Sequence, residues 1–196
     1  MAKARQAKVE RQTKETDIKI KLTVDGEGMG DSCTAIPFFD HMLNLFARHG
    51  MFDLSVEAKG DLDVDTHHTV EDVGIVMGKA LKEAIGSAEG LRRYGHAIVP
   101  MDESLAMVAI DMSGRPAFVW NGELQGRIAM FDLEVVKEFF KGFVGEARCA
   151  LHVNVLYGDN LHHKVEAVFK GFGKALKEAV TRDERIKGVL STKGML

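Results

Sequence analysis

Residues 65–74 (DTHHTVEDVG) and 160–169 (NLHHKVEAVF) carry the same His-His-x-Val-Glu pattern, 95 positions apart. At that offset the seven residues GKALKEA, at 78–84, occur again unchanged at 173–179. A match of this length in a chain without low-complexity sequence indicates an internal duplication. The fold is therefore expected to be one structural unit built twice.

The elements predicted around these motifs follow the same order in both halves. Alternating apolar residues predict half-buried strands, and a segment from Pro37 to Gly50 predicts a short helix. RPAFVW, at 115–120, is expected to be an edge strand or a hairpin partner. The equivalent pairs are strands 17–26 and 105–114, short helices 37–50 and 131–143, strands 52–61 and 149–159, and long helices 67–85 and 162–181.

The order of these elements determines the expected fold class. Because the strands face helices on one side only, we predict an α+β fold of two similar halves, each a sheet backed by helices. We expect a single domain over residues 1–196, with the halves at about 8–92 and 93–190.

Composition narrows the function classes. A formal charge of -3 gives no electrostatic basis for nucleic-acid binding. No apolar run approaches the roughly 18 residues that span a membrane, and the basic N-terminus lacks the apolar stretch of a signal peptide. Cys33 and Cys149 form no CxxC pattern and are expected to be small buried hydrophobes. We therefore expect a soluble cytoplasmic protein.

The duplicated histidines are candidate metal ligands. On a helix, His67 and Glu71 share one face, whereas the adjacent His68 points away from it. Two neighbouring imidazoles cannot easily bind one ion, so each motif is expected to supply ligands to two metal sites. Imidazole and carboxylate ligands without thiolate favour Mn, Fe, Co or Zn. The six ligands of the two motifs are His67, His68, Glu71, His162, His163 and Glu166.

Each short helix adds one further candidate ligand, His41 in the first half and Glu138 in the second. Four protein ligands per ion leave positions open on a six-coordinate metal, as catalysis requires. The alternative for a single His-His motif is a polar helix cap with a glutamate for the helix dipole. The duplication favours metal binding over that alternative.

With these and several other motifs, the chain resembles the imidazoleglycerol-phosphate dehydratase family along nearly its whole length. The matching segments are RQTKET (11–16), IPFFDHMLNLFARHG (36–50), DTHHTVEDVGI (65–75), RRYGHAIVPMDESLA (92–106), GRP (114–116), LHVNVLYGDNLHHKVEAVFKGFGKAL (151–176) and STKG (191–194). Taken together, these segments are highly specific.

The resemblance implies two similar four-stranded sheets backed by helices, of the ribosomal S5 domain 2-like type. It also implies two Mn(II) ions per active site, held by the eight ligand positions given above. Trimers would assemble into a 24-mer, with each active site shared between subunits. Family members usually carry histidine where this chain has Glu138, so a Glu-ligated ion, a changed metal preference or a weaker site are all open at that position.

The activity that the resemblance implies is a lyase reaction of histidine biosynthesis, in which D-erythro-imidazoleglycerol phosphate loses water to give imidazoleacetol phosphate. The substrate has no carbonyl group to stabilise a carbanion. Two cations on the ring nitrogens would favour the imidazolate, which can expel the hydroxyl to give a diazafulvene-like intermediate. The resemblance assigns Glu15 as an acid–base candidate beside the substrate, and Glu71 and Glu166 could couple ligation with proton transfer.

The resemblance also supplies substrate contacts. His41 and His49 fall on substrate-contacting positions, although His49 could equally complement the dipole at a helix C-terminus. Fixed positive charge and hydroxyl groups would hold the phosphate. The phosphate-binding positions are Arg93, Arg115, Lys170, Ser191, Thr192 and Lys193.

Three other functions compete with a metal-dependent lyase. A metal-dependent hydrolase could use the same ligand types. A di-iron carboxylate protein needs four long bundle helices, which the predicted strands disfavour. A shell in which the ions only join subunits has no need of Arg93, Arg115 and Lys193 around open metal positions.

Overall fold

The computed structural model describes residues 4–194, which form two four-stranded sheets with four helices. The first sheet has the order β1-β2-β4-β3, in which only β3 runs parallel to its neighbour. Its elements are β1 (Gln6–Gln12), β2 (Thr16–Thr23), β3 (Gly30–Cys33), α1 (Pro37–Gly50), β4 (Asp53–Gly60) and α2 (His67–Ile85).

The second half repeats this plan. Its sheet has the order β5-β6-β10-β7, again with one parallel edge strand. The two-stranded ribbon β8–β9 precedes its short helix. The elements are β5 (Tyr94–Met101), β6 (Ser104–Asp111), β7 (Ala117–Asn121), β8 (Arg127–Ile128), β9 (Phe131–Asp132), α3 (Val135–Ala147), β10 (Ala150–Tyr157) and α4 (Leu161–Val180).

The predicted α+β duplication with two four-stranded sheets is confirmed. The helix predicted at 131–143 was placed too early, because Phe131 and Asp132 pair with β8 and the helix begins only at Val135. RPAFVW supplies the edge strand β7, which runs parallel to β10 and so is no hairpin partner of it. Cys33 was expected to be buried but is exposed, whereas Cys149 is buried as expected.

The short helix of each half packs against the long helix of the other half. Glycine allows both contacts: a Cβ on Gly173 would lie 2.6 Å from the carbonyl oxygen of Phe46 in α1. The equivalent Gly78 in α2 would meet the carbonyl oxygen of Phe143 in α3 at 2.4 Å. Such distances exclude any side chain. This crossed packing brings ligand candidates from different halves together.

Buried aromatic side chains fill the space between the helices. Phe46, Phe140 and Phe143 each pack against Phe172, with ring centroids 4.9–5.2 Å apart. All four side chains are fully buried. Their burial fixes the angles of the helices that carry the histidines. Over residues 4–194, no helix is both long enough and apolar enough to cross a membrane.

Candidate functional site

The crossed helix packing gathers one tight cluster of three possible metal ligands. His41 lies on α1, and His162 and Glu166 lie on the first two turns of α4. The His41 Nε2 atom is 2.8 Å from Oε1 of Glu166, and the His162 Nε2 atom is 3.1 Å from the same oxygen. One ligand atom from each residue lies within 4.8 Å of the others. Two imidazoles and a carboxylate at this spacing fit a divalent transition metal.

Glu166 is the buried member of this cluster, with 6 % of its surface exposed. Lys170, one helical turn later, donates to Glu166 Oε2 at 2.6 Å. Burial by itself raises the pKa of the Glu166 carboxyl, but hydrogen bonds from Lys170, His41 and His162 outweigh it and lower the pKa to about 2. The carboxylate is thus held ionised, the form that a metal requires.

A second, more open cluster lies on α2 and α3. The His67 Nε2 atom is 3.4 Å from Oε2 of Glu71, and 41 % of the Glu71 side chain is exposed. His67 and Glu138 line one cleft of about 430 Å³. Glu138 also accepts a hydrogen bond from Lys141 at 2.7 Å. Among residues 4–194, only His41, His162 and Glu166 bring three ligand atoms within 4.8 Å of one another, so His67, Glu71 and Glu138 would have to move closer together to hold one ion.

The second histidine of each motif faces another direction. The rings of His67 and His68 are 6.0 Å apart and inclined by 81°, and those of His162 and His163 are 6.3 Å apart and inclined by 75°. His68 and His163 therefore lie outside the two clusters. Each motif presents its two imidazoles to two different places.

Carboxylates hold both outward histidines. Asp61 Oδ2 lies 3.0 Å from Nδ1 of His68, and Glu103 Oε2 lies 2.7 Å from Nδ1 of His163. These hydrogen bonds are the main reason that the pKa of each of the two imidazoles is raised. Asp102 is a looser neighbour, 3.7 Å from Nε2 of His163. In both pairs the bonded nitrogen is Nδ1, which leaves Nε2 as the ring atom that could bind a metal ion.

Glu15 lies in the turn between β1 and β2, with its side chain exposed. Its carbonyl oxygen accepts from the backbone N–H of Asp61 at 3.1 Å, which places the turn beside His68. The next residue, Thr16, donates to the buried Asp72 of α2 at 2.5 Å. These contacts fix Glu15 against the helix that carries the first motif.

A cationic cleft of about 830 Å³ lies at the start of β5. Of the predicted phosphate-binding residues, it is lined by Arg93, Arg115, Ser191, Thr192 and Lys193. The guanidinium of Arg93 is fixed by a bidentate pair with Asp111, at 2.7 and 3.1 Å. Arg93 retains unused N–H donors for an anion.

The C-terminal segment is fastened across this cleft by backbone hydrogen bonds. The Gly90 N–H donates to the carbonyl oxygen of Gly188, and the Asp183 N–H donates to that of Gly90, both at 2.8 Å. Arg93 Nη1 donates to the carbonyl oxygen of Leu190, also at 2.8 Å. The segment that contains STKG is therefore part of the cleft wall.

The other predicted phosphate and substrate contacts, Glu15, His41, His49 and Lys170, lie outside this cleft. Lys170 is bonded to Glu166 in the first cluster. His49 lies in the last turn of α1, where burial and then the charges of Lys170 and Lys174 lower its imidazole pKa. Both residues belong to the neighbourhood of the histidine cluster.

Sequence reasoning missed two groups of residues. Arg185 and Lys187 also line the cationic cleft, and their only sequence signal was their closeness to STKG. Asp61 and Glu103 were not singled out either. Glu103 had a usable signal, because Glu103 directly precedes Ser104 at the start of β6, just as Glu15 directly precedes Thr16 at the start of β2.

The cluster on α4 and the cationic cleft lie at opposite ends of the second half. Lys170, which is bonded to Glu166 of the α4 cluster, contacts Met101, the last residue of β5, whereas Arg93 directly precedes the first residue of that strand. The eight residues of this strand span about 26 Å. A small substrate cannot reach both places on one chain.

Comparison with known proteins gives a consistent result. The family model for imidazoleglycerol-phosphate dehydratase matches residues 34–176. The proteins of that name from Citrifermentans bemidjiense and Geobacter sulfurreducens are 60% and 57% identical to the chain over 194 residues, which is 98% of this chain and 100% of each relative.

Two crystal structures of the same enzyme are similar in fold. That from Pyrococcus furiosus, in complex with (S)-C348, has a TM-score of 0.83 and 38% sequence identity, and the match covers 96% of this chain and 100% of that one. That from Staphylococcus aureus has a TM-score of 0.82 at 38% identity, over 91% of this chain and 99% of the other. Sequence and fold thus agree across both halves.

Proposed function

Since the chain belongs to the imidazoleglycerol-phosphate dehydratase family, we propose that it removes water from D-erythro-imidazoleglycerol phosphate to give imidazoleacetol phosphate in histidine biosynthesis. The observation that carries the proposal is the convergence of His41, His162 and Glu166 on one point. The reaction breaks one C–O bond and removes a proton from the neighbouring carbon, and the resulting enol becomes the ketone.

We propose that two Mn(II) ions are the cofactors. His41, His162 and Glu166 would hold one, and His67, Glu71 and Glu138 would hold the other, with His68 and His163 directed to ions shared with neighbouring subunits. Bound divalent cations supply Lewis acidity, which lowers the pKa of a coordinated imidazole ring. The donor types in both clusters suit a divalent transition metal such as Mn(II).

Carboxylates and basic groups of the chain would carry out the proton transfers and orient the groups involved. Glu15 is exposed and held rigidly by its backbone, so its carboxylate can reach a substrate beside His68. Lys170 keeps Glu166 ionised and oriented. Glu71 and Glu166 can each combine ligation with a hydrogen bond to the substrate, and His49 lies near the first cluster as a further contact.

Arg93, Arg115 and Lys193 would bind the substrate phosphate, with Ser191 and Thr192 as hydroxyl donors. Arginine forks match phosphate oxygens in geometry as well as in charge. Arg93 is preorganised by Asp111, which limits the conformational freedom lost on binding. All five residues line one cleft.

We further propose that the active site is shared between subunits of a homo-oligomer, trimers of which join into a 24-mer. The placement of the cationic cleft and the α4 cluster at opposite ends of β5, a strand about 26 Å long, supports this, because a second chain would then bring a cleft to the ions. The outward face of the second sheet supports assembly as well. It exposes apolar Ile98 and Val119, whereas the first sheet exposes Lys19 and Lys21.

The experiment that tests the function is dehydration of imidazoleglycerol phosphate by purified protein stripped of metal and then refilled with Mn(II). The proposal predicts that activity disappears on stripping and returns with Mn(II). A folded, Mn(II)-loaded protein that remains inactive would contradict it. Sizing of the stripped and refilled samples tests the assembly separately, because a particle of unchanged size would refute metal-linked assembly.

A further inference from the structure

Glu15 and Glu103 occupy equivalent positions in the duplicated fold. Each immediately precedes the first residue of the second strand of its sheet, Thr16 in β2 and Ser104 in β6. Both of these strand residues are buried, with exposures of 3 % and 1 %, and every second residue after them is buried in the same way. The two glutamates are thus products of one ancestral position.

Their side chains nevertheless have different partners. Glu103 Oε2 is bonded to Nδ1 of His163, and its Oε1 accepts from the backbone N–H of Asn160 at 2.8 Å. Glu103 therefore ties the start of α4 and its outward histidine to the β5–β6 turn. Glu15 makes its contacts through its backbone and leaves its carboxylate exposed.

In the first half, Asp61 occupies the place beside the outward histidine. It follows directly after β4 and bonds Nδ1 of His68 through Oδ2. Its backbone N–H donates to the carbonyl oxygen of Glu15. One residue thus connects the outward histidine with the turn that carries the acid–base candidate.

We infer that Asp61 and Glu103 are positioning residues that hold His68 and His163 with Nε2 outward for metal binding, and that Asp61 thereby leaves Glu15 free for proton transfer. The inference rests on the proposed function. A carboxylate that accepts from Nδ1–H fixes the tautomer with a lone pair on Nε2, orients the ring and raises its basicity as a ligand.

The Glu103–His163 and Asp61–His68 pairs should respond differently when the carboxylate is replaced by the corresponding amide. In Glu103→Gln, one oxygen can still accept from Asn160, so the new NH₂ group faces His163 Nδ1. Two donors cannot bond each other, so the imidazole proton moves to Nε2 and the outward lone pair is lost. In Asp61→Asn, either side-chain position can carry the oxygen, because Asp61 Oδ1 is buried without a hydrogen-bond partner among the described residues. The bond to His68 then survives with less charge.

The test measures Mn(II) affinity from free Mn(II) by electron paramagnetic resonance, particle mass against Mn(II) concentration, and kcat at saturating Mn(II). Glu103→Gln should weaken Mn(II) binding about 10- to 100-fold, the usual range for an outer-shell partner. It should assemble only at correspondingly higher Mn(II), and kcat should return at saturation. Asp61→Asn should weaken binding less than Glu103→Gln does.

Two further variants give the comparison. Glu15→Gln should lower kcat and change Mn(II) affinity much less than Glu103→Gln does, because the Glu15 carboxylate makes no hydrogen bond to either histidine and acts on His68 only through its charge. Glu27→Gln, at an exposed carboxylate far from the motifs in sequence, is the matched control for charge loss and should change neither quantity. Metal-free thermal unfolding confirms that each variant is folded.

The outcomes separate the inference from the function on which it rests. Tight Mn(II) binding by wild type with equally tight binding by Glu103→Gln would overturn the inference and leave the function standing. An equally large loss of Mn(II) affinity in Glu27→Gln would also overturn it, because it would show a general effect of charge. A wild-type protein that binds no Mn(II) would overturn both.

Discussion

The two ligand clusters occupy equivalent places on a duplicated backbone, yet their surroundings differ. On α4, Glu166 is almost fully buried and takes hydrogen bonds from His41, His162 and Lys170. On α2, Glu71 is only partly buried, with 41% of its side chain exposed, and its contact with His67 is longer, at 3.4 Å. The duplication preserved the helix geometry, whereas the charges around the ligands changed independently.

Two pairs of equivalent positions account for the difference. Lys170 in the second half corresponds to Ile75 in the first, so the α2 cluster has no equivalent lysine. The short helix contributes His41 to one cluster and Glu138 to the cleft beside the other. The α4 cluster therefore combines two imidazoles with one carboxylate, whereas the candidate ligands around α2, one imidazole and two carboxylates, do not converge on one point.

Removal of the buried carboxylate should have the largest effect. We expect Glu166→Ala to lower activity by more than about 100-fold, since loss of a ligand exceeds the 10- to 100-fold effect of an outer-shell partner. It should also destabilise the metal-free protein by about 1–3 kcal/mol, because Lys170 loses its partner. Glu71→Ala should lower activity but change metal-free stability by less than about 0.5 kcal/mol. Equal destabilisation in urea would break the contrast between the clusters.

Glu138 should decide how many ions the chain holds. We expect Glu138→Ala to reduce bound Mn(II) from two ions per chain toward one, measured by elemental analysis after desalting. Glu138→His should keep both ions and retain or raise activity, since imidazole also ligates such metals. Two ions retained in Glu138→Ala would remove this residue from the ligand set.

Substitution of the equivalent glycines at the two helix contacts should lower stability equally in both halves. Gly78→Ala would force a Cβ to within 2.4 Å of a backbone oxygen, and Gly173→Ala would force one to within 2.6 Å. Each substitution should therefore lower the free energy of unfolding by about 1–3 kcal/mol. Gly145→Ala is the matched control, because a Cβ there meets no atom within 4 Å. That variant should stabilise helix α3 by up to about 1 kcal/mol. Denaturant unfolding of the three variants checks this, and a neutral Gly78→Ala would contradict the close approach of α2 to α3.

The smallest expected effect on stability comes from the ion pair of Arg5, which connects the first half with the end of α4. Arg5, ahead of β1, bonds Asp25 and also donates to the carbonyl oxygen of Val180 at the end of α4. The hydrogen bond from Arg5 lowers the pKa of Asp25 from 3.8 to about 2. The pair therefore stabilises the fold above pH 4, and this contribution is lost as the pH falls from about 4 to about 2.

Asp25 is 43% exposed, so Asp25→Asn should cost less than about 1 kcal/mol at neutral pH. The difference from wild type should shrink as the pH falls from about 4 and should vanish below pH 2. Unfolding free energies across this pH range measure it, and a difference independent of pH would show that charge is not the cause.

The periodicity of the chain predicted the elements with the clearest amphipathic pattern. Helix α1 was predicted at its observed bounds because Pro37 and Gly50 mark its ends. β1 and β3 were missed because Val9 is the only buried residue of β1, and β3 has no buried residue. Such edge strands are formed by backbone pairing with a partner strand, which their own apolar pattern does not reveal.

The candidate site was predictable in its residue types but not in its grouping. The duplication predicted the ligand residues, and the angle between adjacent helix positions predicted that His67 and His68 would face apart. That His41 lies with His162 and Glu166 depends on α1 packing against α4 of the other half, which no local pattern encodes. The partners Asp61 and Glu103 likewise come close only through the folded sheets.

The most direct test of the account mixes two defective proteins. His162→Ala damages the metal end, and Arg115→Ala combined with Lys193→Ala damages the phosphate end. Both should have little activity alone, the second through a raised KM. After metal removal, mixing and refilling with Mn(II), we expect activity well above the sum of the two parents, because an intact cleft on one subunit then meets intact metal ligands on another. A mixture no more active than its parents would contradict a site shared between chains.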